Sequence, residues 1–150
     1  MFGACGCLDK EVTAGKIIVP TDAYRDEGLS YHYAKASNYI RIKNADTVAA
    51  YFKEAAIPYI TGKTWTTDAI YRETRGIMEK RKAEGCIAVE MESAGVQAVC
   101  DFRNLEFYNF LIGGDLLDSP EWDRRILGEA GERTHQIKGF YMALELALKI

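Results

Sequence analysis

The stretch Cys86-Ile87-Ala88-Val89-Glu90-Met91-Glu92-Ser93 passes from an apolar run into two carboxylates separated by a methionine. The apolar run at residues 86–89 is typical of a short buried strand, and residues 92–103 have the spacing of an amphipathic helix. Acidic residues at the start of a helix stabilise it by about 0.3–1 kcal/mol through the helix dipole. Helix capping with a methionine in the core accounts for this pattern, and so does a ligand site at the junction.

On both sides of this stretch, short apolar runs alternate with helical patterns. Strands are predicted at residues 16–20, where Pro20 marks the end, at 58–64 and at 107–112. Helices are predicted at 46–56, 72–84 and 132–150. Five residues form the apolar face of the last helix: Ile137, Phe140, Tyr141, Leu144 and Leu148. The alternation predicts an α/β fold with a mixed central sheet flanked by helices, in a single domain over residues 1–150.

Composition and charge narrow the class of protein. Of the 150 residues, 48% are hydrophobic and 27% are charged, which is typical of a globular domain and excludes wholesale disorder. A net charge of −3 without a basic run indicates no positively charged surface for binding nucleic acid. No apolar stretch approaches the ~20 residues that span a bilayer, and residues 1–10 lack the pattern of a signal peptide. We therefore expect a cytoplasmic protein whose partners include neither nucleic acid nor a membrane.

The cysteines are expected to be free thiols. They are Cys5, Cys7, Cys86 and Cys100. Disulfide frameworks are typical of small secreted scaffolds, which this chain does not resemble in composition. The Cys5-x-Cys7 spacing is shorter than the about two to four intervening residues of structural zinc sites, and no second pair follows. Buried thiols and the absence of a metal site are therefore the expectation.

Glycines and an acid follow two other predicted strands. Residues 2–8, Phe2-Gly3-Ala4-Cys5-Gly6-Cys7-Leu8, are interpreted as a strand end that runs into a glycine turn. The stretch Gly113-Gly114-Asp115 closes the strand predicted at 107–112. In open α/β sheets, ligands bind at the carboxyl ends of the strands. Asp115 is either a local cap of a turn or an acid above a glycine-lined cleft.

Four stretches distributed over most of the chain form an ordered set. They are Gly3-Ala4-Cys5-Gly6; Ala14-Gly15-Lys16-Ile17-Ile18-Val19-Pro20-Thr21 with Arg25-Asp26-Glu27-Gly28 and Ser30-Tyr31-His32-Tyr33; Thr64-Trp65-Thr66-Thr67-Asp68-Ala69-Ile70-Tyr71-Arg72-Glu73-Thr74; and Val89-Glu90-Met91-Glu92-Ser93-Ala94. In order and spacing they resemble the nucleoside phosphorylase family, which includes purine and uridine phosphorylases and related nucleosidases. The resemblance implies the later two-thirds of that fold.

This resemblance implies a site for a nucleoside. In the family, the second glutamate of the Glu-Met-Glu signature binds the ribose hydroxyls, and the methionine packs on the sugar. These roles correspond to Glu92 and Met91. The nucleobase is expected to lie against Ile70, which is followed by Tyr71.

The resemblance also implies an acid at the nucleobase. In purine-specific members, an aspartate after the strand that follows the signature helix protonates the purine, and Asp115 occupies the corresponding place. Breaking an N-glycosidic bond builds positive charge on the sugar and negative charge on the departing base, so a carboxylate and a general acid both accelerate it. Glu90, Cys5 and Gly6 complete the substrate-binding residues that the resemblance implies.

The phosphate site is where this sequence departs from the family. A hydroxyl residue of the glycine turn usually meets phosphate, and that position is Ala4. The front third of the family pattern, which supplies the other phosphate-binding residues, has no counterpart in this sequence. Three functions follow. The first is a phosphorylase-like glycosyltransferase acting on a purine or pyrimidine nucleoside, and Asp115 favours purine. The second is a non-catalytic nucleoside-binding or oligomerisation remnant, or half of a split enzyme. The third is a nucleosidase that uses water.

The expected partners follow from the same pattern. A nucleoside or nucleobase is the expected ligand, and no cofactor is expected apart from phosphate as co-substrate of the phosphorolytic reaction. A shortened sheet exposes strand edges and apolar area that are usually covered by pairing. We therefore expect association with a second copy of this chain or with a complementing chain.

Overall fold

The fold is described over residues 1–13, 17–125 and 130–150 of a computed structural model. Ala14, Gly15 and Lys16 begin one of the stretches quoted above, and Lys16 begins the strand predicted at 16–20. These three residues lie outside the described residues.

Six strands and five α-helices alternate along the described part of the chain. The strands are β1 (Phe2–Cys7), β2 (Ile17–Asp26), β3 (Tyr39–Arg41), β4 (Tyr59–Thr67), β5 (Cys86–Glu90) and β6 (Phe110–Leu116). The helices are α1 (Lys10–Thr13), α2 (Ala45–Glu54), α3 (Arg75–Ala83), α4 (Ser93–Arg103) and α5 (Ala130–Ala147). Short 3₁₀ turns occur at Leu29–His32 and Ile70–Arg72.

The strands form one mixed sheet in the order β3-β2-β4-β5-β1-β6. Pairing is parallel between β2 and β4, β4 and β5, and β1 and β6, whereas β1 and β5 are antiparallel. The sheet also closes on itself, because β6 pairs with the beginning of β2, where Ile17 lies opposite Ile112 and Ile18 opposite Leu111. The predicted α/β fold with a mixed central sheet is confirmed, while the closure is not apparent from the sequence.

Strand β2 is longer than the sequence predicts. It continues through Pro20 as far as Asp26, and its pairing with β4 shifts register between Pro20 and Ala23. Proline has no N–H for the ladder, and a register shift at this point accommodates it without ending the strand. The prediction that Pro20 ends the strand is therefore wrong.

Strand β6 also extends beyond its predicted end. It continues through Gly113 and Gly114 to Leu116, so these glycines do not close it. Asp115 consequently projects from a strand instead of a turn. A side chain on a paired strand is held more firmly than one on a free loop, because the ladder fixes its backbone.

Helices α2, α3 and α4 confirm the helices predicted at 46–56, 72–84 and 92–103, with slightly different ends. Gly85 follows α3 with φ of +92°, a conformation that glycine adopts without strain, and it ends the helix as predicted. None of the helices in the described residues combines the length and apolar character needed to cross a bilayer.

Aromatic side chains fill the space between the sheet and the helices. Phe52 of α2 and Phe110 of β6 are buried and meet edge to face, with ring centroids 5.2 Å apart. Phe2 of β1 stacks on Phe110 at 5.7 Å. A second cluster surrounds the buried Trp65 of β4 and includes Met78 of α3. Aromatic pairs contribute about 0.5–1.5 kcal/mol beyond area burial, so these contacts help to fix helices and sheet together.

The apolar face predicted for the C-terminal helix is exposed. Helix α5 packs on β1 and β6, and Gly139 and Leu146 are buried there. The five residues predicted for the core face are between 48% and 81% exposed, and we call them the α5 stripe: Ile137, Phe140, Tyr141, Leu144 and Leu148. A Cβ at Gly139 would lie 2.6 Å from Ile112 Cδ1, so the helix approaches the sheet on its glycine side. The predicted core face is wrong, because close approach at Gly139 sets the orientation of the helix.

Filling the space at Gly139 should destabilise the protein. In Gly139→Val, the new side chain would meet Ile112 and Phe2, whose atoms lie 2.6 and 3.0 Å from the Cβ position. Overpacking of this kind costs about 1–3 kcal/mol, and urea denaturation should show this loss in the free energy of unfolding. Gly76→Val in α3 is the matched control, because nothing lies within 4 Å of a Cβ there. Equal losses in both variants would contradict the described packing of α5.

Candidate functional site

A cavity of about 770 Å³ opens where β1 passes beside the ends of β5 and β6. Its walls come from β1, from the junction of β5 and α4, from β6 and the loop after it, and from the segment that joins β4 to α3. All of the predicted site residues line this cavity: Cys5, Gly6, Ile70, Tyr71, Glu90, Met91, Glu92 and Asp115. Tertiary structure thus brings together residues that are far apart in the sequence.

Glu90 is the last residue of β5, and its buried carboxylate holds the next helix. Oε2 accepts hydrogen bonds from the backbone N–H groups of Glu92 (2.9 Å) and Ser93 (2.7 Å) and from the Ser93 hydroxyl (2.8 Å). Oε1 accepts a hydrogen bond from the Thr66 hydroxyl of β4. Burial raises the pKa of Glu90, and these hydrogen bonds oppose that rise. Glu90 therefore satisfies the first N–H groups of α4, and it also lines the cavity.

The two residues after Glu90 lie at the rim of the cavity. Met91 is 42% exposed, so it is not the core methionine that helix capping alone would predict. Glu92 is exposed, and its carboxylate has no hydrogen-bond or ion-pair partner within the described ranges. A carboxylate is an acceptor for hydroxyl groups, and an exposed methionine can cover an apolar surface. The arrangement can bind a polyhydroxylated ligand with one apolar face.

Asp115 reaches the cavity from β6, beside Gly6 of β1. The pairing of β1 with β6 shifts register between Cys5 and Cys7, so Gly6 lies at a bulge. A Cβ at Gly6 would lie 2.8 Å from Val89 Cγ1 and 3.4 Å from Asp115 Oδ1. Only glycine lets the three strands approach this closely. The predicted glycine turn is a bulged strand, and its glycine lies against Asp115.

The loop after β6 folds back and holds Asp115. Leu116 and Asp123 pair through two backbone hydrogen bonds of 2.8 and 3.1 Å. This pairing places Trp122 at the cavity, where its indole N–H donates to Asp115 Oδ2 at 2.6 Å. Trp122 could not be identified from spacing along the sequence, because only the folded loop returns it to Asp115.

A second carboxyl group, that of Glu73, lines the cavity together with Asp115. Glu73 lies between the 3₁₀ turn at Ile70–Arg72 and helix α3. Burial and the nearby charge of Asp115 raise the pKa of Glu73 to about 7. No side-chain hydrogen bond or ion pair of Glu73 occurs among the residues that the structure describes. Its sequence signal is its position shortly after Ile70 and Tyr71, where the nucleobase is expected to lie.

The cavity has apolar walls of two kinds. Ile70 and Tyr71 are exposed at its mouth, and the Tyr71 side chain is 98% exposed. Their apolar surfaces are therefore open to a planar ligand. Cys5 is buried on the β1 side, where contact with Cys7 and burial raise the pKa of Cys5. Cys5 therefore contributes a neutral thiol to the wall.

Positive charge at the cavity is limited. Of the described residues that line it, Arg75 alone carries a cationic side chain, and Nη2 of Arg75 donates to the carbonyl oxygens of Ser119 (2.9 Å) and Pro120 (3.2 Å). Ala4 also lines the cavity and provides no hydroxyl group. In the described ranges, no group of three or more histidine, cysteine, aspartate or glutamate side chains is arranged to hold a metal ion.

The sequence model of the Phosphorylase superfamily matches residues 1–139. This chain belongs to the Phosphorylase superfamily. The match contains every cavity residue named above, and it confirms the resemblance to nucleoside phosphorylases.

The relatives that this chain matches are longer proteins. A purine nucleoside phosphorylase of the DeoD type from Bacillus cereus is 28% identical over 100 residues, which are 63% of this chain and 41% of that protein. The chain spans less than half the length of the first relatives it matches.

Solved structures share the fold of this superfamily member. The purine nucleoside phosphorylase of Toxoplasma gondii, in complex with immucillin-H, has a TM-score of 0.76 and 20% identity, and the match covers 97% of this chain and 60% of that chain. The AMP nucleosidase of Bacteroides thetaiotaomicron has a TM-score of 0.66 and 21% identity, and the match covers 75% and 50% of the two chains. The predicted nucleoside-phosphorylase-like fold is confirmed.

Replacing Glu90 should destabilise the protein, whereas replacing Glu92 should not. In Glu90→Ala, the buried N–H of Ser93 loses its acceptor, and a buried unsatisfied donor costs about 1–3 kcal/mol. The matched variant Glu92→Ala removes an exposed carboxylate and should change the free energy of unfolding by no more than about 0.5 kcal/mol. Chemical denaturation of both variants checks this. A stable Glu90→Ala protein would show that Glu90 does not hold α4.

Proposed function

We propose that this cavity binds a nucleoside, specifically a purine nucleoside, and that it cleaves the N-glycosidic bond. The observation that carries the proposal is that Glu92 and Asp115, from separate parts of the chain, line one cavity of about 770 Å³. Sites for small molecules typically have volumes of about 300–1,000 Å³. The relation to a purine nucleoside phosphorylase of the DeoD type supports a purine ligand.

Glu92 and Met91 are proposed to hold the ribose. Glu92 has an exposed carboxylate with no partner in the described part of the chain, so ribose hydroxyls can donate to it without displacing a protein donor. A carboxylate near the sugar also stabilises the positive charge that develops as the glycosidic bond breaks. Met91 beside it would cover the apolar face of the ring.

Ile70, Tyr71 and Asp115 are proposed to bind the nucleobase. The exposed Ile70 and Tyr71 side chains offer apolar surface to a planar ring. Asp115 is the proposed acid at the base, and the hydrogen bond from Trp122 fixes its orientation. General acid catalysis of this kind typically contributes about 10²–10⁴-fold to the rate.

Inorganic phosphate and water are the two candidate nucleophiles for this cleavage. Phosphate needs charge-assisted donors, and the one cation among the described lining residues, Arg75, already donates to two carbonyl oxygens. Ala4 supplies no hydroxyl for an anion. Water needs no anion site, so these observations favour a nucleosidase over a phosphorylase for the chain on its own.

Base release from nucleosides tests the proposal. A panel of ribonucleosides and deoxyribonucleosides would be assayed with and without phosphate, and purine ribonucleosides should release their base. Glu92→Ala should reduce this release by about 10²-fold, because it removes the carboxylate proposed to stabilise the charged sugar. Glu79→Ala, an exposed position of α3 that does not line the cavity, is the matched control.

The phosphate dependence separates the candidates. Release that requires phosphate identifies phosphorolysis, and release without phosphate identifies a nucleosidase. Equal release by wild type and Glu92→Ala would point to a contaminating host enzyme and contradict the assignment of Glu92. No release from any nucleoside would contradict cleavage and favour a non-catalytic remnant or half of a split enzyme.

We also propose that the α5 stripe is covered by a second copy of this chain. The stripe exposes Phe140, Tyr141 and three aliphatic residues on one helix face, and contiguous exposed apolar area is typical of an interaction surface. Self-association would remove this surface from water, which stabilises an assembly by roughly 25 cal/mol for each Å² buried.

Sedimentation at micromolar concentration tests this proposal. The wild type should sediment as a species larger than a monomer, and Phe140→Glu should shift it towards the monomer, because a charge would then be buried at the contact. Leu105→Glu changes an exposed apolar residue outside α5 and is the control. A compact wild-type monomer would disprove self-association.

A further inference from the structure

We infer that Glu73 is a further catalytic residue, which lines the cavity together with Asp115 and takes the place of Asp115 as the donor of the proton to the leaving base. This inference rests on the proposed cleavage of a nucleoside, and it assigns a role to a residue to which neither spacing nor resemblance gave one.

The position of Glu73 supports this role. Its carboxyl group lines the same cavity as Asp115, and Glu73 follows the 3₁₀ turn at Ile70–Arg72, whose Ile70 and Tyr71 are proposed to bind the base. The N–H of Glu73 donates to the Ile70 carbonyl at 3.3 Å, so the backbone at Glu73 is tied to the turn that carries the base wall. In the described ranges, no protein donor or cation occupies its carboxyl group. The group is therefore open to a ligand in the cavity.

The two carboxyl groups are held differently. The Trp122 indole N–H donates to Asp115 Oδ2 at 2.6 Å, so one oxygen of Asp115 already has a protein donor. Glu73 has no such donor in the described residues, and burial beside the charge of Asp115 favours its protonated form. Glu73 accordingly keeps its proton to a higher pH than an ordinary glutamic acid, because its pKa is raised to about 7.

Other charged and titratable groups around the cavity do not reverse this arrangement. Glu90 and Glu92 are carboxyl groups and add no cation to the cavity, and the Cys5 thiol is neutral. Tyr71 is exposed at the mouth. The Arg75 guanidinium is engaged by the Ser119 and Pro120 carbonyl oxygens and forms no ion pair with Glu73 in the described structure.

The proposed step balances without a further reactant. As the bond between sugar C1′ and the base nitrogen breaks, its electron pair passes to the base. The Glu73 proton moves to a nitrogen or exocyclic oxygen of that base, and Glu73 becomes a carboxylate. The oxygen nucleophile of the proposed function, water or inorganic phosphate, forms the new bond to C1′. A proton released by the nucleophile or taken from solvent returns Glu73 to its acid form.

The pH dependence of base release tests this inference. The kcat/KM of the wild type for a purine ribonucleoside should fall as the pH rises through about 7, because Glu73 loses its proton there. In Glu73→Gln, kcat/KM at pH 6 should be at least about 10²-fold lower and should no longer fall across this range, since an amide donates no proton. Glu79→Gln removes the same charge outside the cavity and should retain the wild-type profile.

Thermal unfolding of the same proteins checks that Glu73 holds a proton. The raised pKa means that ionisation of Glu73 destabilises the folded state as the pH rises from the ordinary value towards about 7. Glu73→Gln removes this penalty, so the melting temperature of the variant relative to wild type should be higher at pH 8 than at pH 5. An equal difference at both pH values would overturn the inference. If Glu73→Gln does not fold, Glu73→Asp replaces it and should keep the pH dependence at a lower rate.

The outcomes separate the inference from the function on which it rests. Base release with an unchanged pH profile in Glu73→Gln, or a loss of the pH dependence in Glu79→Gln, would overturn the inference and leave the proposed cleavage in place. Absence of base release from every nucleoside would overturn both. Loss of the pH dependence in Glu73→Gln alone, together with the larger stabilisation at pH 8, would support Glu73 as the proton donor.

Discussion

A carboxylate removed from water must be surrounded by hydrogen-bond donors, and Glu90 is the residue at which this constraint is most demanding. Its donors come from β4 and from the first turn of α4, so the strand and the helix must both be in place before the carboxylate is satisfied. The same contacts fix the direction in which the chain leaves β5. Met91 and Glu92 follow directly, and they lie at the cavity rim because Glu90 points inward. One buried acid therefore positions two exposed residues.

The other acids of the cavity show how one residue type serves different purposes. Glu92 is exposed, Asp115 receives an indole N–H, and Glu73 is partly buried beside Asp115. The cavity has several carboxyl groups, and Arg75 is the one cation among its described lining residues, so it suits a ligand on which positive charge develops. A sugar losing its base is such a ligand. The same charge balance disfavours a free anion, which is the physical reason for proposing water as the nucleophile.

Helix α5 illustrates the limit of periodicity as evidence. Spacing correctly indicates a helix and an apolar stripe, but it does not indicate what covers the stripe. The helix approaches the sheet at Gly139, because a residue without a side chain allows the closest contact with Ile112 and Phe2. The large apolar residues therefore face outward. The absence of a side chain has the same effect at Gly6, where it lets β1, β5 and β6 approach one another beside Asp115.

The sequence by itself determined the α/β class, the junction of strand and helix at residues 86–93, and a set of residues that meet at one cavity. The fold class and the junction depend on local spacing, and the set of cavity residues comes from the resemblance of short motifs to the nucleoside phosphorylase family. Tertiary structure alone decided the closure of the sheet through β2 and β6, the exposure of the α5 stripe, and the meeting of Trp122 and Glu73 with Asp115. Each of these depends on contacts between residues distant in sequence. Packing and electrostatic interaction act across space, so no local pattern records them.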